Sequence, residues 1–158
     1  MNDPNPKVTI DFWNVGQGDA TSIRLPTGEL ILIDVGPRGS TLSQWLREKP
    51  RGLIREILLT HNDTDHTGAL PEIVADGNID IKRVRMLEDR DRSNSVQDKL
   101  FRTVFEISKN RDIKVERLEC PPGRGTALCE VPPVKLSLRL YHPTFEENYR
   151  ANTPNATS

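Results

Sequence analysis

Two imidazoles and two carboxylates stand within six consecutive residues, from His61 to His66. They directly follow the run 57–60, whose apolar residues are typical of a buried strand, and they precede a segment after Gly68 with the apolar spacing of a helix. A polar cluster between a strand and a helix is expected in a loop at a sheet edge, where a rigid scaffold commonly holds functional groups. The fold must therefore place strand and helix on either side of this loop.

The cluster has the chemistry of a metal site. Imidazole and carboxylate together suit zinc, manganese or iron, whereas calcium prefers oxygen ligands alone. Residues two apart on an extended chain point the same way, so His61 and Asp63 can face one point. Asp65 and His66 lie beyond them and can face a second point, which gives the two half-sites of a two-metal hydrolase. The structural alternative is a polar helix start with Asp63 or Asp65 as N-cap.

Three segments carry a resemblance to a known family. The loop resembles the His-x-x-x-Asp-His signature of the metallo-β-lactamase fold, and its third position, usually His, is Asp63 here, as in the branch typified by the nuclease domain of the DNA-uptake protein ComEC. The segment 12–20 is similar to that branch, with Asn14 where Asp is usual, and 32–36 resembles the family's strand ending in Asp-x-Gly. Weaker likenesses follow at 140–143 and 155–158.

The resemblance implies a fold and a set of roles. The fold would be α/β, the first half of an αββα sandwich, with a β-meander followed by alternating helices and strands. Two divalent metal ions, zinc or manganese, would be held by His61 and Asp63 and by Asp65 and His66, and Asp65 would also orient the attacking water. The supporting residues would be Asp34, which hydrogen-bonds a ligand, Asp19 near the site, and Gly16 and Gly18, which let the backbone approach the loop. For the glycines, an ordinary Gly-rich turn is the alternative.

The implied activity is phosphodiester cleavage, with DNA as the substrate and possible partner. The alternatives are metal-dependent hydrolysis of a small ester or lactam, and a non-catalytic half-fold that acts as a binding or regulatory subunit. The net charge of −1 gives no global attraction to nucleic acid. A local phosphate-binding patch could come from four arginines, among which acidic residues are interspersed: Arg85, Arg90, Arg92 and Arg102.

The apolar patterns predict most of the elements. Strands are expected at 7–15, 20–25, 30–35, 53–60, 81–87, 113–118 and 134–141, and helices at 41–49, after Gly68, and at 96–110. The alternation in 7–15 indicates a half-buried strand, and the nearly pure apolar run 30–35 indicates a central strand buried on both faces. Leu100, Val104 and Ile107, with Phe101 and Phe105 beside them, predict a core-facing stripe. The Pro- and Gly-rich segment 120–133 is expected to be a loop.

The ligand set is incomplete by comparison with the family. The family's Gly-Asp loop, whose Asp bridges the metals, does not occur after His66, and the only later histidine, His142, precedes a proline as a structural or exposed residue would. A catalytic zinc usually has three protein ligands and a water. We therefore expect a complementary C-terminal segment or second polypeptide to complete both the site and the sandwich.

Length and composition are those of a globular protein. The 158 residues, 35% hydrophobic and 28% charged, are expected to form a single domain over 1–158. No apolar run approaches the ~20 residues of a membrane span, and the first residues lack the pattern of a secretory signal. A cytoplasmic protein is expected, in which Cys120 and Cys129 are reduced.

Overall fold

The computed structural model describes residues 7–48, 52–60, 63–86, 95–117, 126–131 and 136–140. Residue contacts divide the chain into two compact units, one of residues 1–87 and 94–117 and the other of residues 88–93 and 118–158. The assignment of 1–158 to a single domain stays a prediction. The first unit contains β1 (Thr9–Phe12), β2 (Ala20–Arg24), β3 (Leu30–Val35), α1 (Thr41–Glu48), β4 (Leu53–Leu59), α2 (Thr64–Thr67), α3 (Leu70–Ala75), β5 (Asp80–Ile81), β6 (Arg83–Met86), α4 (Ser95–Arg111) and β7 (Lys114–Arg117).

One mixed sheet organises the first unit. Its strand order is β1-β2-β3-β4-β6-β7, and β5 pairs with β4. The first three strands are antiparallel neighbours, whereas β3, β4, β6 and β7 run parallel. The predicted β-meander followed by alternating helices and strands is confirmed, and the fold is α/β. Because parallel strands end at the same edge of a sheet, the residues after β3 and β4 are brought together.

The core lies between the sheet and the helices. Strand β3 is buried along nearly its whole length, as its apolar run predicts. Burying apolar surface is the main favourable term in folding, so this cluster fixes where the strands end. Its fully buried members include Leu32, Ile57, Leu42, Leu70, Ile73, Val74, Val84 and Val104, which come from strands and helices alike.

Two predictions of burial are wrong. In the edge strand β1, Ile10 is 54% exposed and Phe12 83% exposed, because β1 has a neighbouring strand on one side only, although Trp13 and Val15 beyond it do pack against the core. In α4, Leu100, Val104 and Ile107 face the core as predicted, but Phe105 is 49% exposed. The side chain of Phe101 lies outside the described residues.

The second unit contains a β-hairpin. Strand β8 (Thr126–Val131) pairs antiparallel with β9 (Leu136–Leu140). The prediction of a loop throughout 120–133 is therefore wrong, because the surrounding prolines and glycines masked the short strand at its centre. Residues 142, 120 and 61, on which other predictions rest, lie outside the described residues. Within the described part of the chain, no helix is long and apolar enough to cross a membrane.

Candidate functional site

A buried carboxylate marks the carboxyl edge of the sheet. In the pairing of β2 with β3, Ala20 faces Val35 and Thr21 faces Ile33, so Asp34 is the extra residue of a β-bulge. Its φ is 53°, in the left-handed region that residues other than glycine rarely adopt. Bulges turn side chains away from the regular alternation and are frequent beside active sites. The bulge explains how Asp34 is aimed across the end of the neighbouring strand.

Asp34 accepts three hydrogen bonds. The Thr60 backbone N–H donates to Oδ1 over 2.8 Å, and the Thr60 hydroxyl donates to Oδ2 over 2.5 Å. The third contact joins Oδ2 to Nδ1 of His66 over 2.9 Å. Since the Asp34 side chain is only 4% exposed, these contacts replace the water that a carboxylate requires. Asp34 thus ties together the ends of β3 and β4 and one of the proposed ligands.

His66 has one ring nitrogen fixed and one directed elsewhere. With Nδ1–H donated to Asp34, Nε2 lies 3.9 Å from Oδ2 of Asp19. The His66 side chain is 15% exposed and that of Asp19 is 78% exposed. Burial alone would lower the pKa of His66, but the hydrogen bond and charge of Asp34, with the charges of Asp65 and Asp19, outweigh burial and raise that pKa above its ordinary value. The surroundings of this ring therefore favour its positively charged form.

The ligand loop, residues 61–66, becomes helical from Thr64, which is earlier than predicted. We expected a helix only after Gly68, but α2 begins at Thr64 and places Asp65 and His66 on a helical turn. Asp63 occupies the N-cap position with extended backbone, but its side chain makes no capping hydrogen bond. Asp63 therefore stands at the N-cap position, as the structural alternative predicts, but it lacks the side-chain hydrogen bond that an N-cap residue usually makes. The Asp63 carbonyl instead accepts the backbone N–H groups of His66 and Thr67.

The two glycines of the first turn differ. A Cβ built on Gly18 would lie 2.1 Å from the carbonyl oxygen of Asp65, so only glycine permits this close approach to the ligand loop. A Cβ on Gly16 would meet nothing within 4 Å among the described residues, and its φ of 78° alone favours glycine. Gly18 therefore packs against the loop, whereas Gly16 fits the alternative of an ordinary turn.

Sequence reasoning missed two residues at the site. Thr60 closes the hydrogen-bond set of Asp34, and the only signal was a hydroxyl residue at the end of an apolar strand. Gly68 packs its Cα against the loop after β3, since a Cβ there would lie 2.8 Å from the Arg38 nitrogen. Arg85, one of the four arginines that could form a phosphate-binding patch, pairs with Glu56 and Glu116 and is only 14% exposed. The patch itself stays a prediction.

The donor chemistry fits a divalent metal ion. A histidine whose Nδ1–H is held by a carboxylate is the usual arrangement of a metal-ligating imidazole. Oδ2 of Asp19 lies 3.9 Å from Nε2 of the same ring, and the charge of Asp65 contributes to the raised pKa of His66. Within the described residues, no preassembled group of three or more His, Cys, Asp or Glu side chains is present, and His61 lies outside them. The full ligand set stays a prediction.

Comparison with models of known protein families finds a match that covers this site. Residues 13–144 match the family model described as the metallo-beta-lactamase superfamily, and this range includes β2 to β9 and the whole candidate site. No curated protein matches the chain.

Proposed function

The chain belongs to the metallo-β-lactamase superfamily, in which metal-dependent hydrolysis is the general activity, and on this premise we propose that it is a phosphodiesterase that cleaves DNA at a two-metal site. His61 and Asp63 would hold one divalent ion, zinc or manganese. Asp65 and His66 would hold the second. The residues supporting them would be Asp34, Asp19 and Gly18.

The observation that carries the proposal is the contact between Asp34 and His66. A carboxylate 4% exposed would be costly to bury without partners, and here it fixes the tautomer and orientation of a partly exposed imidazole. The contact lies where parallel strands β3 and β4 end, at the edge that generally carries the ligands of open α/β sheets. A structural histidine would not need its second nitrogen to face another carboxylate.

The chain's own residues divide the work as follows. A divalent metal, when bound, supplies Lewis acidity and lowers the pKa of a water so that hydroxide is available near neutral pH. Asp34 keeps the proton on Nδ1 of His66 and so leaves Nε2 as the donor atom. Gly18 holds the loop before β2 against the Asp65 carbonyl, which fixes the turn that carries Asp65 and His66. Asp65 would orient the attacking water and accept its proton.

DNA is proposed as the substrate because of two features of the sequence. Asp63 stands where most of the superfamily has histidine, and the segment 12–20 resembles the ComEC-like branch, in which phosphodiesters are the substrates. A complementary segment or second polypeptide would supply further ligands. The small-molecule hydrolase and the binding subunit remain the competing outcomes of the test.

The test combines metal analysis with hydrolysis assays on the purified full chain. The wild type loaded with Zn²⁺ or Mn²⁺, together with any polypeptide that co-purifies with it, should cleave DNA, while His61→Ala combined with His66→Ala should lose both the metal and the cleavage. Asp80→Asn is the matched control, because Asp80 is an exposed acid on β5. Cleavage of an ester or lactam without DNA cleavage would favour the small-molecule hydrolase.

Native mass spectrometry of the same sample distinguishes the third outcome. Two metals in a complex with a second polypeptide would support a hydrolase completed by a partner. A metal-free complex that is inactive on every substrate would contradict the enzyme and favour a binding subunit.

A further inference from the structure

We propose that Asp19 is a direct carboxylate ligand of the metal ion that His66 binds, rather than a supporting residue near the site. This inference rests on the proposed function, because it needs a metal at His66. It adds a ligand from the loop before β2, which is distant in sequence from the cluster 61–66.

The separation between the two donor atoms is that of ligands around one ion. Oδ2 of Asp19 and Nε2 of His66 are 3.9 Å apart. A hydrogen bond would require about 2.7–3.2 Å, so this is not one. Two donors each about 2.1 Å from a tetrahedral zinc lie roughly 3.4 Å from each other. Because the Asp19 side chain is 78% exposed, it is free of the packing that would prevent this small closure.

The backbone on both sides of Asp19 is fixed. On one side, Gly18 lies against the Asp65 carbonyl so closely that no side chain could be added. On the other side, Ala20 is 4% exposed, pairs with Val35 and accepts a hydrogen bond from the Trp13 N–H. A side chain that is exposed but mounted on fixed backbone can bind an ion with little loss of conformational entropy beyond its own rotamers.

The charge balance also points to a cation. Within the described residues, Asp19 makes no hydrogen bond or ion pair other than its approach to His66. Oδ2 of Asp34 contacts the other ring nitrogen, Nδ1, over 2.9 Å, so a carboxylate stands near each nitrogen of this imidazole. A cation bound between Asp19 and His66 would give the exposed Asp19 carboxylate a partner of opposite charge.

Calorimetric titration of the metal-stripped full chain with Zn²⁺, and separately with Mn²⁺, tests the inference without any activity assay. Asp19→Asn keeps the size and exposure of the side chain but removes the ionised oxygen. We expect metal affinity to fall by about 100-fold or more, since loss of an outer-sphere partner alone costs 10–100-fold. Asp19→Glu should restore part of the affinity, and the exposed Asp80→Asn should leave it unchanged. Thermal unfolding of each variant without metal checks that the fold is kept.

The spectrum of the Co²⁺-loaded protein separates a ligand from a residue that only attracts cations. Replacement of a ligand changes the coordination and so the visible bands, whereas loss of a remote charge does not. Unchanged affinity or an unchanged spectrum in Asp19→Asn, with the wild type binding metal through His66, would overturn this inference alone. Failure of the wild type to bind metal would overturn the proposed function and this inference together.

Discussion

The same strands carry a carboxylate-centred cluster at each end. At the amino ends, Glu29 pairs with Arg55 over 2.9 Å and with Lys82 over 3.3 Å. At the carboxyl ends, Asp34 contacts His66, beside which Asp19 lies. Both central carboxylates are largely buried, with 13% of the Glu29 side chain and 4% of the Asp34 side chain exposed. They nevertheless differ in charge balance and in backbone conformation.

Among the described residues, the amino-end cluster has more cations than carboxylates, and the carboxyl-end cluster has more carboxylates than cations. Two cations pair with the single carboxylate of Glu29, whereas the carboxylates of Asp34 and Asp19 approach the single imidazole of His66. Asp34 also has a φ of 53°, in the left-handed region, whereas Glu29 is not among the described residues other than glycine with a positive φ. Strained backbone and uncompensated charge are typical of functional sites, and complete ion pairing is typical of structural ones. From this difference we expect one end to hold the sheet together and, under the proposed function, the other to bind a metal ion.

Gly18→Ala should have the largest effect on the cluster at the carboxyl ends of the strands. The added methyl group would meet the Asp65 carbonyl at 2.1 Å, and φ is 128°, so both contact and conformation oppose it. We expect a loss of about 3 kcal/mol in the free energy of unfolding, together with loss of metal binding. Gly16→Ala is the matched control and should cost about 1–2 kcal/mol through its positive φ alone. Urea unfolding and metal titration of both variants measure this, and equal effects would contradict the packing role of Gly18.

A comparison of Asp34→Asn with Glu29→Gln tests whether the clusters at the two ends of the strands have different roles. Asparagine tolerates positive φ, so Asp34→Asn removes the charged acceptor while keeping the backbone. We expect metal affinity to fall about 10–100-fold, because His66 loses the partner that fixes its tautomer. Glu29→Gln should leave metal affinity unchanged while lowering stability by at most about 1 kcal/mol. A loss of affinity in Glu29→Gln as large as in Asp34→Asn would remove the distinction between the ends.

The parts of this site that adjoin one another in sequence were predictable. The cluster 61–66 and the run 30–35 are local patterns, and periodicity reports such patterns directly. The contact of Asp34 with His66 spans 32 residues and needs a bulge, which depends on how β2 and β3 pair. The sequence did not indicate the bulge, and only the resemblance to the family implied that Asp34 hydrogen-bonds a ligand. The approach of Asp19 to His66 depends on the same pairing.

The second limit on prediction from the sequence was that it does not show which strands lie at the edge of the sheet. The alternation in β1 is the same for a strand whose apolar face is covered and for an edge strand whose apolar side chains are exposed. The exposure of Phe12 could therefore not be predicted. Arg85 shows the same limit for charges. The sequence could not show that parallel pairing of β6 with β7 sets it opposite Glu116. Both features depend on which strands become neighbours, which is a property of the whole sheet.

The pH dependence of stability gives the smallest expected effect and sharpens the assignment of the amino end. Burial alone would raise the pKa of Glu29, but hydrogen bonds from Thr27, Arg55 and Lys82 outweigh burial and hold that pKa below its ordinary value of 4.5. As pH falls below 4.5, the unfolded chain therefore takes up a proton before the folded chain does, and stability is lost towards the folded pKa.

Glu29→Gln lacks this proton uptake, so its free energy of unfolding should decline less than that of the wild type as pH falls from neutral to below 4.5. Urea unfolding at successive pH values measures the difference, and Asp80→Asn controls for loss of one negative charge at an exposed position. Parallel curves for the wild type and Glu29→Gln would mean that the ion pairs of Glu29 contribute nothing to stability. The amino end would then be no better compensated than the carboxyl end, and charge balance could not be used to separate a structural cluster from a metal site in this sheet.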